Sequence, residues 1–188
     1  YLPVEHETEL ISLLSDKEAV SLIDEMYTDD AVDLLEEMPA NVVKRLLKKC
    51  TADTRNDVNK LLNYPENSAG SIMTVEYAEL KEELTIKQAI AKLRKEMEYY
   101  ETVNTCFVLN LERKLIGYIH LKDIICADEN DLVKDIVQKD VISCKTTEDQ
   151  EEAAKMFQKY DLTAMPVVDS EDRMVGIITI DDIVDVLQ

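Results

Sequence analysis

The chain has 188 residues, 40 of them acidic and 21 basic, for a formal net charge of −19. That balance argues against nucleic acid and anionic membrane surfaces, whose phosphates need Lys and Arg to neutralise them, and it favours divalent cations or a plain acidic surface. A hydrophobic content of 46% over this length supports one or two packed cores and argues against general disorder.

Residues 8 to 62 carry helical periodicity and nothing strand-like. Leu10, Leu13 and Leu14 make one apolar stripe; Ala19, Leu22, Ile23 and Met26 make the next, after Ser15 and Glu18, which are spaced as a capping box. Thr28, then Pro39 to Asn41, then Thr51 to Asp53 open three further segments of about three turns each. Helices this short do not stand alone in water, so the segments must stack their apolar stripes, as in a small solenoid-like bundle. Pro65 is expected to end the last helix. Gly70, within Asn63 to Thr74 (N-Y-P-E-N-S-A-G-S-I-M-T), is expected to allow a turn and, with Ser71, a pivot.

The rest of the chain is written twice. Met165 to Val184 (M-P-V-V-D-S-E-D-R-M-V-G-I-I-T-I-D-D-I-V) reads as strand, turn, strand, helix. Phe107 to Ile125 aligns with it without a gap, Gly117 on Gly176 and Asp123 on Asp182. A helix begun at a threonine precedes each copy, after Thr85 (to about Met97) and after Thr147. First strands are expected over Val75 to Leu80 and Val141 to Cys144, a closing helix over Leu121 to Cys126, and a short connecting helix over Leu132 to Val137. Two copies of one unit predict a tandem domain whose halves share a core.

The unit resembles a CBS domain, in its apolar strand pair, the run G-I-I-T-I-D-D and the order of its elements. The linker motif Ser68 to Thr74 and the run Asp149 to Ala153 (D-Q-E-E-A) extend the likeness: the whole chain resembles the cytosolic part of an MgtE-type magnesium channel. The resemblance implies an α+β chain: an N-terminal all-α superhelical bundle over 1–66, truncated at its start, then a tandem CBS pair over 67–128 and 129–188. It also implies a homodimer through the CBS pairs, and a connecting helix and membrane domain that follow. The chain starts at Tyr1 and stops at Gln188 inside an apolar helical pattern, which is expected of a fragment. No run of 18 apolar residues and no signal peptide is present.

Mg²⁺ takes oxygen ligands, keeps several waters and uses one or two carboxylates per site, so no tight motif is expected for it. Asp29 and Asp33 are spaced i, i+4 and project from one helix face; Asp182 and Asp185 are spaced i, i+3. The resemblance implies regulatory Mg²⁺ between acidic surfaces, with Asp29, Asp33, Glu151, Asp161, Asp182 and Asp185 as ligands, a backbone contact near Ser71, and a pore held shut when cytosolic Mg²⁺ is high. An acidic residue at a helix start is equally explained by the helix dipole. The family also implies an adenosine site at Gly-x-x-Thr-x-x-Asp. Thr179 and Asp182 keep that pattern; in the first copy His120 replaces the hydroxyl, Asp123 is kept and Lys122 can meet a phosphate. Asp182 is thus open to two roles, Mg²⁺ or ATP.

Among the four cysteines no pair is spaced C-x-x-C, and His6 and His120 sit beside none, so reduced thiols and no zinc are expected. No catalytic set is visible. Tyr99 and Tyr100 are expected in packing or dimer contacts, and Ile124, Ile125, Ile183 and Val184 on a dimer face. The rival reading is an adenine-nucleotide sensor for a different transporter or an enzyme.

Overall fold

The computed structural model describes residues 13–186, the side chain of Asp185 excepted. His6, the Leu10 position and the Asp185 carboxylate lie outside the described residues. The chain divides into two compact units, Tyr1–Pro65 and Glu66–Gln188.

The first unit stacks short helices: α1 (Asp16–Glu25), α2 (Thr28–Glu36), α3 (Ala40–Leu47) and α4 (Ala52–Leu61). The Ser15 capping box is complete, Ser15 N–H donating to Glu18 Oε2 at 2.9 Å and Glu18 N–H to Ser15 Oγ at 3.4 Å. Thr51 caps α4 through the Thr54 N–H at 3.3 Å. Thr28 does not cap α2; it is the first helical residue, and Tyr27 before it supplies backbone only. None of these helices exceeds ten residues, so their stability comes from packing. α3 packs on α1 and α4 on α2, burying Ile23, Leu34, Leu35, Leu46, Val58 and Leu61. Asp16 ties the outer pair, accepting from Lys49 Nζ at 2.7 Å and Arg45 Nε at 3.1 Å.

In the second unit two sheets repeat one design. β1 (Tyr77–Lys81), β2 (Thr102–Leu109) and β3 (Leu115–His120) form the first; β4 (Cys144–Lys145), β5 (Ala164–Val168) and β6 (Met174–Thr179) form the second. In each, the first pairing is parallel and the second antiparallel. The parallel crossovers are α5 (Ile86–Glu96) and α8 (Gln150–Tyr160); α6 (Leu121–Cys126) and α9 (Ile180–Val186) close the repeats, and α7 (Val133–Ile136) connects them. The hairpin turns place Arg113 and Asp172 at equivalent left-handed positions, φ 64° and 63°. These turns join the sheets, Met174 N–H donating to Arg113 O at 3.1 Å. Tyr77, Phe107, Leu109, Met174 and Ile177 make the shared core.

Each repeat also receives a segment that precedes the other's first strand. Thr74 pairs with Ile177 through two backbone bonds of 2.8 and 2.9 Å, and Gln138 pairs with Tyr118 through two of 2.9 Å. The aligned glycines are explained by this crossing. A Cβ on Gly176 would stand 2.7 Å from Thr74 O and 2.6 Å from Met73 Sδ, and one on Gly117 would run into Gln138 O.

Several expectations need correction. The first strands begin later, at Tyr77 and Cys144, because the preceding residues are taken by the crossing segments and loops. Asp149, not Thr147, caps α8, accepting from Glu151 N–H at 2.8 Å. α4 ends at Leu61, before Pro65 can act. Gly70 and Ser71 are no pivot. Ala69 and Gly70 donate to Glu148 O (2.7 Å) and Thr146 O (2.9 Å), Asn67 O accepts from Gln150 N–H at 2.9 Å, and Ser71 Oγ donates to Ser68 O at 2.8 Å. The turn is made by Asn67 at φ 60°, and no glycine has positive φ. Ile124 and Ile183 are buried in the unit itself, leaving Ile125 and Val184 exposed. Cys50, Cys106 and Cys144 are buried and Cys126 exposed, all four as free thiols.

Candidate metal and nucleotide sites

α2 begins T-D-D, which puts carboxylates in its first turn, where the helix dipole favours them. Asp29 is buried there, and Asp33, one turn on, is exposed.

α8 carries two more of the expected ligands, but at opposite ends. Glu151 is exposed in its first turn, and Asp161 is its left-handed C-cap at φ 51°. Ten residues of helix separate them by about 15 Å, so the two cannot hold one ion within a single chain. Ser71 is half-buried, and its hydroxyl is directed to Ser68 O.

Asp182 sits in the first turn of α9, where its Oδ2 accepts from Thr179 N–H at 2.7 Å and from Thr179 Oγ1 at 2.9 Å. The Thr-x-x-Asp spacing is therefore a helix cap before it is anything else. The same carboxylate lies within 4.8 Å of a carboxylate oxygen of Glu101. Glu101, just ahead of β2, donates its N–H to Glu76 O at 2.9 Å and is half-buried, as is Asp182. Two oxygens each about 2.1 Å from one Mg²⁺ lie roughly 3 to 4 Å apart, so a small inward shift lets this pair share an ion. Glu101 is a residue that sequence reasoning missed. It lies 81 positions from Asp182, in the stretch where the first repeat is three residues longer than the second, and that length difference was the available signal.

In the first repeat the equivalent helix start has no cap bond: His120 occupies the N-cap of α6 without a side-chain acceptor, and Asp123 is half-buried in the first turn. His120 instead faces a cleft of about 520 Å³ lined by both repeats. Thr105, Phe107, Tyr118 and His120 come from the first; Val141, Ile142, Tyr160, Leu162, Thr163 and Pro166 come from the second, with Asp140 and Asp161. Tyr118 and His120 meet edge to face at 5.3 Å between centroids. Beyond His120 the surface continues into a depression lined by Asn104, Leu121, Lys122 and Ile125. The arrangement offers aromatic surface for a base in the cleft and a cation for a phosphate outside it. Thr179 does not line this cleft; it is buried and bonded to Asp182.

Comparison with known proteins agrees along the length of the chain. Residues 1–67 match the MgtE intracellular N domain, and residues 69–130 and 133–188 match the CBS domain. A magnesium transporter MgtE of Bacillus subtilis is 36% identical over 186 residues, covering 98% of this chain and 41% of the relative. That of Thermus thermophilus is 39% identical over 135 residues, 72% of this chain and 30% of the relative. The chain thus spans less than half the length of these curated relatives. Among solved structures, the soluble part of a magnesium transporter superposes with a TM-score of 0.93 at 33% identity, covering 97% of this chain and 72% of that one. The cytosolic domain of the Mg²⁺ channel MgtE in complex with ATP superposes at 0.92 and 35% identity, covering 99% and 76%.

Proposed function

The chain belongs to the MgtE family of magnesium transporters, as an intracellular N domain followed by a CBS pair, and from that premise we propose that it senses Mg²⁺ on behalf of a channel pore. The carrying observation is the Glu101 and Asp182 pair. Two half-buried carboxylates with oxygens within 4.8 Å of one another present an all-oxygen set, which suits a hard divalent ion. Asp29, Asp33, Glu151, Asp161 and Asp185 supply further carboxylates, and Ser71 a further oxygen. When cytosolic Mg²⁺ is high, occupied sites favour the state of this region that holds the pore shut, at the cytoplasmic face of the membrane. One site preferring that state tenfold contributes about 1.4 kcal/mol, whereas a switch from mostly open to mostly closed needs about 5.5 kcal/mol. About four such sites must act together, which gives the scattered carboxylates a common purpose. The region acts as a homodimer through its CBS pairs and carries out no catalysis itself.

Calorimetry and thermal melts with Mg²⁺, against K⁺ of equal ionic strength, test this. Mg²⁺ is expected to raise the melting temperature and to slow proteolysis at the Asn63 to Asn67 segment, with weaker responses in Asp29→Ala and Asp182→Ala. An equal response to K⁺ means charge screening alone and removes the sensing reading.

A second reading is supported by the cleft: an adenine nucleotide such as ATP sits against Tyr118, His120 and Tyr160 with Lys122 toward the phosphates, and the family pattern assigns the ribose to Asp123, in the first turn of α6 beside Lys122. The net charge makes that binding weak and Mg²⁺-sensitive. An ATP affinity left unchanged by both Asp123→Ala and Lys122→Ala rules this assignment out, and loss through Thr179→Ala alone moves the site to the second repeat.

A further inference from the structure

The helical unit stacks by a simple rule, α3 on α1 and α4 on α2. A stack of this kind has an open end, which ordinarily needs a polar face or a capping element. α3, α4 and the end of α2 enclose a groove of about 480 Å³. Its floor is apolar, from Met38, Val43, Leu47 and the exposed Leu62. Lys44, Lys48 and Arg55 stand on its rim, with Glu36 the one carboxylate. In a chain of net charge −19 these three cations form no ion pair among the described residues, whereas their neighbours Arg45 and Lys49 both bind Asp16.

We propose that this groove docks an acidic amphipathic helix of a partner protein. The stacking rule gives the shape, because the next element on α3 and α4 would be a helix. The floor calls for apolar residues at i, i+3 or i+4, and i+7, and the cationic rim calls for Asp and Glu beside them. Among the described residues α1 to α4 pair with one another and leave this groove open, and its three rim cations on an acidic chain select an acidic partner. The inference is independent of the metal and nucleotide sites.

The test uses the 188-residue chain and a fluorescein-labelled peptide of about 18 residues with Leu on one helical face and Glu elsewhere, beside a twin with Lys for every Glu. Anisotropy is expected to show saturable binding of the Glu peptide, weakening as salt rises, and none of the Lys twin. The double reversal Lys44→Glu/Lys48→Glu is expected to lower affinity about tenfold or more and to admit the Lys twin. Leu62→Ser, at an exposed position that the fold tolerates, is expected to weaken binding of the Glu peptide. Circular dichroism confirms that each variant is folded. Lack of saturable binding below about 1 mM overturns the proposal, as does equal binding of the two peptides or an unchanged affinity in the folded double variant. If sedimentation shows that the double reversal abolishes self-association, the occupant is a second copy of this chain, and the partner helix is refuted.

Discussion

Replacing Asp182 by asparagine separates the two things its carboxylate does. As a cap, Oδ2 accepts from Thr179 N–H and Oγ1 at 2.7 and 2.9 Å, and an amide oxygen can still accept there. As a charge, it stands within 4.8 Å of Glu101. At an effective dielectric of about 20 that repulsion reaches roughly 3 kcal/mol, and partial exposure reduces it to about 1 kcal/mol. Without divalent ions, Asp182→Asn is therefore expected to leave stability unchanged or to raise it by up to about 1 kcal/mol, a few degrees in melting temperature for a chain of this size. Asp182→Ala removes the cap as well and is expected to lie about 1 to 2 kcal/mol below the asparagine variant. With Mg²⁺ at ten times its dissociation constant the parent gains about 1.4 kcal/mol per site, and both variants lose the part that Asp182 supplies. Melts in EDTA and in Mg²⁺ measure all six values. If Asp182→Asn drops the metal-free melting temperature as far as Asp182→Ala, the repulsion reasoning is wrong. If its Mg²⁺ increment equals the parent's, Asp182 is a cap and not a ligand.

Gly176→Ala drives a Cβ into Thr74 O and strains the two Thr74 to Ile177 bonds, so a loss of about 2 to 4 kcal/mol is expected by urea unfolding; a loss below about 0.5 kcal/mol would show that the crossing segment yields freely. Burial pushes the Cys106 and Cys144 thiols up to about 12, so at pH 8 roughly one in ten thousand is ionised. Burial, with Asp24 beside it, also raises the Cys50 thiol; a disulfide reagent is therefore expected to titrate Cys126 alone in the native chain and all four cysteines in urea, and a second fast native thiol contradicts this. Ile125→Glu/Val184→Glu, at exposed apolar positions, is expected to shift a micromolar dimer to monomer in sedimentation, and no shift moves the dimer interface elsewhere.

What the sequence disclosed was local or repeated. The Ser15 capping box is a four-residue signal that forms as spaced, and the helix expected after Thr85 starts there, with Thr85 as its N-cap. The tandem repeat was legible because both copies keep the same glycine and aspartate, and the strands and helices follow in the same order. The reason for those glycines was not legible, since it lies in segments 21 and 102 residues away, at Gln138 for one fold half and Thr74 for the other, a pairing that no local pattern encodes. The candidate site split along the same line. Thr179 and Asp182 were singled out through the family pattern that the resemblance implies, but Glu101 enters only because β2 carries it to α9, and the cleft exists only because two repeats meet. Gly70 misled because glycine reads as a turn, whereas here its N–H binds Thr146 O and the left-handed residue is Asn67.

The exchanged segments at Thr74 and Gln138 make the two CBS repeats one thermodynamic object. Neither sheet is complete until the other half of the sequence has arrived, so an excised single repeat would lack the segment it borrows and could regain it only from a second molecule. Unfolding should therefore proceed in one step across both repeats, and a ligand held by one stabilises both. An ancestral single repeat with the same exchange would have had to live as a pair of identical chains, each lending its leading segment to the other. Fusion of two such genes would have turned that bimolecular loan into an intramolecular one and freed the two halves to diverge, as the paired positions His120 and Thr179 have done.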